Sequence, residues 1–369
     1  MTSYLLLLIL TLASFYFCEC SPFPSPSPPD PTPPGPRPPG ADGKKALPTQ
    51  PTSELTYTQE WSNWKVENER GYVNDKEELF RRDVWLANKM FIEQHNLKKA
   101  QESGYHLAMN QFGDLTYSEW KNYYLSQYKH DNFTTSANVV KRLTTKGGPN
   151  PFPEALDWRN KNAVSPVKNQ DKCGSSYAFS AIGALEGAAS LAKDKLIILS
   201  EQNIIDCSVP YGNHGCNSGT VQKAYQYVIS VGGVDTADSY PYSNKQETCH
   251  YRKEASGIAM SGIVSLPPGS EKELLAAVAT VGPVSVSVDG SSNAFRFYAG
   301  GVFNTINCST TTLNHAMVVT GYGVAKTGQK YWLVKNSWGP SWGDGGYILM
   351  VKDNFNQCGI ATDAAYPTL

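Results

Sequence analysis

Charge imbalance is missing from this sequence: 32 Lys and Arg stand against 33 Asp and Glu, a formal net charge of -1. That balance excludes a broad electrostatic attraction to nucleic acid or to an anionic membrane, so partners have to be argued from a site. A long apolar run is missing too. The stretch from Tyr4 to Phe17 is too short for a comfortable transmembrane helix. No C-x-x-C pair occurs, and the cysteines beyond residue 20 stand far apart, which argues against a zinc site. No Lys or Arg precedes the leucine run, so the amino terminus alone supplies positive charge there.

What is present begins with that run. Its length suits a secretory h-region, and the small residues Cys18 and Cys20 predict cleavage after Cys20. Residues 1–20 read as a signal peptide, which implies a secreted protein with no membrane attachment once it is removed. Cys173, Cys207, Cys216, Cys249, Cys308 and Cys358 remain. An even set in a secreted chain reads as a disulfide framework whose pairing the sequence alone leaves open. Residues 21–54 include SPFPSPSPPDPTPPGPRPPG, too rich in proline to pack a core and predicted to be an extended tether.

From Leu55 the composition turns charged and aromatic. KEELFRRDVWLANKMFIEQHN has no Pro or Gly, and Leu79, Val84, Leu86, Met90 and Phe91 recur with helical spacing, predicting a long amphipathic helix. Within it Glu77, Arg81, Trp85, Asn88, Ile92 and Asn96 resemble the interspersed E-R-F-N-I-N pattern of papain-family prodomains, with Trp85 for the usual Phe. Ala108, Asn110, Phe112 and Asp114 in LAMNQFGDLT resemble the G-x-N-x-F-x-D motif of the same prodomains. Residues 55–150 are thus expected to be a helical propeptide lying over the domain that follows, with processing between about Thr145 and Pro153.

Residues 151–369 carry the remaining motifs. PEALDWRNKNAVSPVKNQ resembles the mature amino terminus of papain-like enzymes, and Gln170 then stands at the oxyanion-hole position three residues before Cys173. In CGSSYAFS the position of the thiol is held by Ser176. The following segment keeps Phe179, Ile182, Leu185 and Ala189 apolar, consistent with a buried helix whose amino terminus favours a developing negative charge. TTLNHAMVVTGYG supplies His315 at the start of an apolar strand, and YWLVKNSWGPSWGDGGYILM supplies Asn336 before a Trp- and Gly-rich turn.

The joint pattern is similar to the papain family from about Thr56 to the end. The resemblance implies an α+β fold of two subdomains, a helical half with Ser176 and a β-barrel-like half with His315 and Asn336, and a cleft between them. It implies disulfides Cys173–Cys216, Cys207–Cys249 and Cys308–Cys358, and Trp338 covering the Asn336–His315 bond. It also implies an apolar substrate pocket near Thr220, Val221, Leu313 and Ala316, with Asp363 at its floor. No cofactor or metal is implied.

A serine cannot reach the resting thiolate state of such enzymes, so Ser176 has to attack while His315 takes its proton. Neutral Asn336 offers the growing imidazolium no charge, which handicaps peptide hydrolysis. Three readings stay open: an inactive homologue serving as a scaffold, a weak serine-type peptidase, or a hydrolase of an easier centre. Ser176 followed by Tyr177, SSNAFRFYAGGVF and CSTTTLNHAMVVTGYG resemble the silicateins, papain-like proteins of sponge skeletal filaments. That resemblance implies hydrolysis of silicon alkoxides, condensation of silicic acid to silica, contact with a silica surface and self-association into filaments. Ser309, Thr310, Thr311 and Thr312 are then candidates for hydrogen bonds to silanols. Their run is threonine-rich where the silicateins are serine-rich. Asn132 in NFT and, less favourably, Asn307 in NCS are candidate glycosylation sites.

Overall fold

The computed structural model describes residues 54–98, 100–126 and 152–369. The expected signal peptide, the proline-rich segment, Asn132 and most of the expected processing stretch lie outside them. No described helix is long and apolar enough to cross a membrane.

The first part is built on helices α1 (Glu54–Glu67), α2 (Asp75–Lys98), one-turn α3 (Ala100–Ser103) and α4 (Tyr117–Tyr124), with strand β1 (Tyr105–Leu107) between α3 and α4. Trp61, Trp64 and Trp85 stack where α1 crosses α2. The spaced motif residues of α2 tie the helix to the segment after it. Asn88 Nδ2 donates to the carbonyls of Gly113 and Leu115, and Asn96 exchanges two hydrogen bonds with the backbone of Leu107. Arg81 pairs with Glu119 at 2.8 Å. Glu119 in turn closes a capping box with Thr116 at the start of α4. Of the apolar stripe expected along α2, Leu86 and Phe91 pack against the cores, whereas Leu79 and Met90 are 58 % exposed. Trp85, Ile92 and His95 face inward instead, because the aromatic cluster and Tyr105, not hydropathy spacing, decide which side of α2 is covered.

The second part has a helical half and a sheet half. Helices α5 (Ser176–Lys193), α6 (Glu201–Cys207) and α7 (Val221–Val231) form the first, with a two-stranded sheet of β3 (Val234–Asp235) and β4 (Ser256–Ile258). The other half contains β2 (Leu156–Asp157), β5 (Gly262–Ser265), α8 (Glu271–Thr280), β6 (Val284–Val288), α9 (Asn293–Arg296), β7 (Tyr298–Phe303), β8 (His315–Val324), β9 (Lys330–Lys335), β10 (Tyr347–Val351) and β11 (Ala364–Thr368). Strand order is β1-β7-β10-β9-β8-β6-β11-β5, with β2 also on β8. The prosegment expected to be helical therefore contributes an edge strand: β1 pairs antiparallel with β7, Tyr105 opposite Gly301.

Helix α5 is buried along nearly its whole length and joins the halves by a close approach to β8. Ser180 Oγ donates to the Met317 carbonyl at 2.6 Å. A Cβ on Gly183 would sit 3.0 Å from Val318 Cγ2, so the absence of a side chain there sets the spacing. Disulfides join Cys173 to Cys216, Cys207 to Cys249 and Cys308 to Cys358.

The first part docks through aromatic rings. Phe112 meets Trp338 edge-on at 5.4 Å, and Trp120 meets it at 5.9 Å. Asn110 Nδ2 donates to Arg296 O at 2.8 Å and Gln111 Nε2 to Trp338 O at 2.6 Å. Phe112 is 1 % exposed, so Phe112→Ala should cost about 3–5 kcal/mol of docking and packing energy. The expected result is a precursor digested faster by a nonspecific protease within residues 54–126 while residues 152–369 stay resistant. Equal resistance of parent and variant throughout would contradict it.

Candidate functional site

Three elements converge on one cleft. Ser176 is the first residue of α5, His315 the first of β8, and Asn336 follows directly on β9; all are buried. His315 Nε2 lies 2.7 Å from Asn336 Oδ1. That oxygen also accepts the Ser337 N–H at 2.8 Å, which fixes the amide's orientation and makes it an acceptor from the ring. The proton is thereby placed on Nε2, and Nδ1 keeps its lone pair. Nδ1 has no hydrogen-bond partner. Trp338 lies over the imidazole at 4.5 Å between ring centres. Burial lowers the His315 pKa to about 4, opposed only by the Asn336 bond, so the ring is neutral at ordinary pH.

Ser176 Oγ accepts the Ala316 N–H at 3.1 Å, which ties the hydroxyl to the residue beside the histidine. Ser175, the cap of α5, makes no side-chain capping bond, leaving the helix amino terminus available to a developing charge. Gln170 is fully buried. Its Oε1 accepts from Ser337 Oγ at 2.6 Å, and its Nε2 donates to Cys173 O at 2.8 Å and Tyr124 O at 3.3 Å. A donor suited to an oxyanion is thus shared with a prodomain carbonyl. The same strand of prodomain continues across the cleft, where Ser126 N donates to Asn314 O at 2.7 Å.

The cleft is lined by Ser176, His315, Ser126, Tyr177, Gly219, Thr220, Val221, Ser287, Asn314 and Ala316. Thr220, Val221 and Ala316 thus line the same cleft as Ser176 and His315. Leu313 is not among the lining residues; it is buried, against Gly359. Asp363 lies one layer behind rather than at the floor, because Ser287 Oγ and Gln222 Nε2 donate to its carboxylate at 3.0 and 2.5 Å. Ser309 spends its hydroxyl locally, accepting from Thr311 N and Thr312 N in the manner of a serine turn. Thr310, Thr311 and Thr312 are exposed outside the cleft lining.

Sequence reasoning missed Ser287, Asn314 and Asp289. Asp289 accepts from Ser291, Ser309 N and Asn314 Nδ2, so it pins the hydroxyl loop and the residue before His315 to one carboxylate. Its only signal is the end of the alternating run VSVSVDG. Behind Asn336 lies a buried ionic network. Lys335 Nζ donates to Ser165, Ser165 Oγ donates to Glu186, and Lys168 bridges Glu186 and Glu201. Burial lowers the Lys335 pKa to about 8.

Residues 152–368 match the papain family cysteine proteases, and residues 61–120 match the cathepsin propeptide inhibitor domain (I29). Silicatein of Petrosia ficiformis is 46% identical over 321 residues, 84% of this chain and 94% of that protein. Cathepsin L2 of Homo sapiens is 44% identical over 313 residues, 84% of this chain and 92% of that one. Among solved structures, digestive procathepsin L2 proteinase from Tenebrio molitor larval midgut superposes with a TM-score of 0.77 at 37% identity, over 85% of this chain and 100% of that one.

The imidazole's neutrality depends on having no charge beside it. Asn336→Asp places a carboxylate at 2.7 Å from Nε2, which stabilises the imidazolium and should raise the His315 pKa well above about 4. NMR titration of the precursor's imidazole resonances measures this; an unmoved or lowered midpoint would contradict the assignment.

Proposed function

Since the chain belongs to the papain family of cysteine proteases, and since an alcohol stands at the position of the thiol, we propose that it is a silicatein-like hydrolase of silicon–oxygen esters. In this reading Ser176 is the nucleophile and His315 its general base, and the released silanols condense to silica. One observation carries it: Asn336 Oδ1 holds the proton of His315 on Nε2, which leaves an unpartnered Nδ1 in the cleft that Ser176 lines. That is the protonation state a serine mechanism needs, and not the imidazolium of a resting thiolate pair. The similarity to a silicatein at 46% identity supplies the substrate class.

Ser176 Oγ forms a bond to silicon while its proton passes to His315 Nδ1. Silicon accepts a fifth oxygen readily, so the weak activation of an alcohol suffices where an amide carbonyl would demand more. Charge on the substrate oxygens is met by Gln170 Nε2 and the α5 amino terminus. The alkoxy group leaves as alcohol with the proton from His315. Water, deprotonated by the same nitrogen, then frees Ser176 and yields the silanol. Asn336 holds the tautomer but adds no negative charge. Replacing the carboxylate of a serine-protease triad by an amide costs about 10⁴ in rate, which disfavours peptides as substrates. A second reading, a weak serine-type peptidase, is favoured by the intact Gln170–Ser337 and His315–Asn336 bonds.

The prodomain is the inhibitor of this site in either reading, and its removal, by cleavage between about Thr145 and Pro153, opens the cleft. Assembly into filaments, export and glycosylation at Asn132 and, less favourably, at Asn307 belong to the same proposal. They are supported by the near-zero net charge, by disulfides suited to an oxidising compartment, and by the exposed position of Asn307.

Ser176→Ala and His315→Ala should each remove most alkoxide hydrolysis by the processed protein. The double variant should be little worse, since members of one catalytic unit are not additive. Silica formed by Ser176→Ala at the parental rate would leave a scaffold with a silent site. Activity should also follow the basic form of His315. Once the prodomain leaves, water raises its pKa from about 4 toward the ordinary value of about 6.5. The rate is then flat above the midpoint and falls about tenfold per pH unit below it. A Ser176-dependent rate that rises as pH falls through this range would refute the base assignment. Ser176→Cys should gain peptidase activity, because His315 and the helix terminus can ionise a thiol.

A further inference from the structure

Arg296 closes α9 and is 0 % exposed beneath the prodomain. Its Nη2 donates to the carbonyls of Phe112 at 2.5 Å and Leu115 at 2.6 Å, both prodomain residues. Nε and Nη1 have no hydrogen-bond partner. The guanidinium sits 4.5 Å from the Phe297 ring centre on its own side and 5.5 Å from that of Trp120 on the prodomain side. The titratable groups that face it are Asp114, Glu119 and Tyr124, again all prodomain residues. Neither acid bonds it directly: Asp114 is held by Arg70 and Tyr72, and Glu119 by Arg81.

A fully buried cation with two idle donors is an expensive arrangement, and it persists only while the cover is in place. When the prodomain departs, both carbonyl acceptors, the Trp120 ring and every facing acid leave together. The second part keeps a guanidinium on the Phe297 ring with its whole fork of donors unclaimed and no counter-charge. A planar cationic fork on an aromatic platform is suited to bidentate binding of an oxyanion.

We propose that prodomain removal uncovers an oxyanion-binding site centred on Arg296, separate from the Ser176 cleft, and that its oxyanion is the deprotonated silanol of a silica surface. Only the choice of silica rests on the function proposed above; the oxyanion chemistry rests on Arg296 and what covers it. Maturation then arms two places at once, a cleft that produces silanols and a cation that holds the surface they build.

Arginine-selective modification with phenylglyoxal, mapped by peptide mass, tests this without any substitution. The folded full-length precursor is compared with the same protein after cleavage between about Thr145 and Pro153 and separation of the freed prodomain. Arg296 should be unreactive in the precursor and reactive in the processed protein. Inorganic phosphate, and separately colloidal silica, should each slow that reaction about tenfold, the scale of a charge-assisted pair. Protection by phosphate alone overturns the silica assignment, and protection by neither, or an unreactive Arg296 after processing, overturns the site. Arg296→Gln in the processed protein should reduce adsorption to colloidal silica several-fold at low salt while leaving Ser176-dependent alkoxide hydrolysis unchanged. Equal adsorption by parent and variant counts against the proposal. If the parent protects Arg296 on silica but hydrolyses no alkoxide, the proposed reaction falls and this site stands.

Discussion

The close approach of helix α5 to strand β8 is the constraint on which the site depends. Ser176, Ser180 and Gly183 lie on one face of the helix, at the four- and three-residue spacing of successive turns. They meet Ala316, Met317 and Val318 in order: a hydroxyl on an amide, a hydroxyl on a carbonyl, and a bare Cα against a valine. Small residues let the two backbones come together, and the two serine hydroxyls pair with backbone groups of β8. The serine and the histidine are neighbours because the first residue of the helix and the first residue of the strand share this seam. A bulkier residue at position 183 would push the helix away from the strand.

Dry surroundings set the electrostatics. His315, Arg296 and Lys335 all have their pKa values lowered by burial, to about 4, about 9 and about 8. The cause is the same in each case, but the cover is not. The prodomain shields Arg296 directly and closes the cleft at His315 through Tyr124 and Ser126. Lys335 is walled in by Ser165 and the Glu186 network of the second part itself. Processing therefore rehydrates two of the three and leaves the third as it was.

Gln170, Ser176, His315 and Asn336 could be singled out in the sequence because each stands in a short local pattern: Gln170 and Ser176 around one cysteine, His315 at a polar-to-apolar boundary, Asn336 before a tryptophan turn. The family of the chain was legible from the order of those patterns. Features that depend on what packs against what were not. Hydropathy spacing on α2 suggested Leu79 and Met90 for the covered face, whereas a cluster of indoles selects another. Asp363 reads as a pocket floor until Ser287, a residue with no motif of its own, is found in front of it. The hydroxyls of 309–312 look like a surface for ligands, yet the serine among them satisfies its own backbone. Arg296 gave no signal, since its setting exists only when two distant segments close over it.

Strand β1 has a further consequence. It is the outermost member of the sheet, and β7 lies behind it. A chain that ends a sheet with a removable strand carries its own plug: the hydrogen-bonding edge of β7 is satisfied from within while the precursor is intact. Cutting the plug out leaves the Val302 N–H and its neighbours to be satisfied by water or by a strand from elsewhere. Stickiness at that edge is thus postponed by design of the covalent order, and it begins at the moment of cleavage.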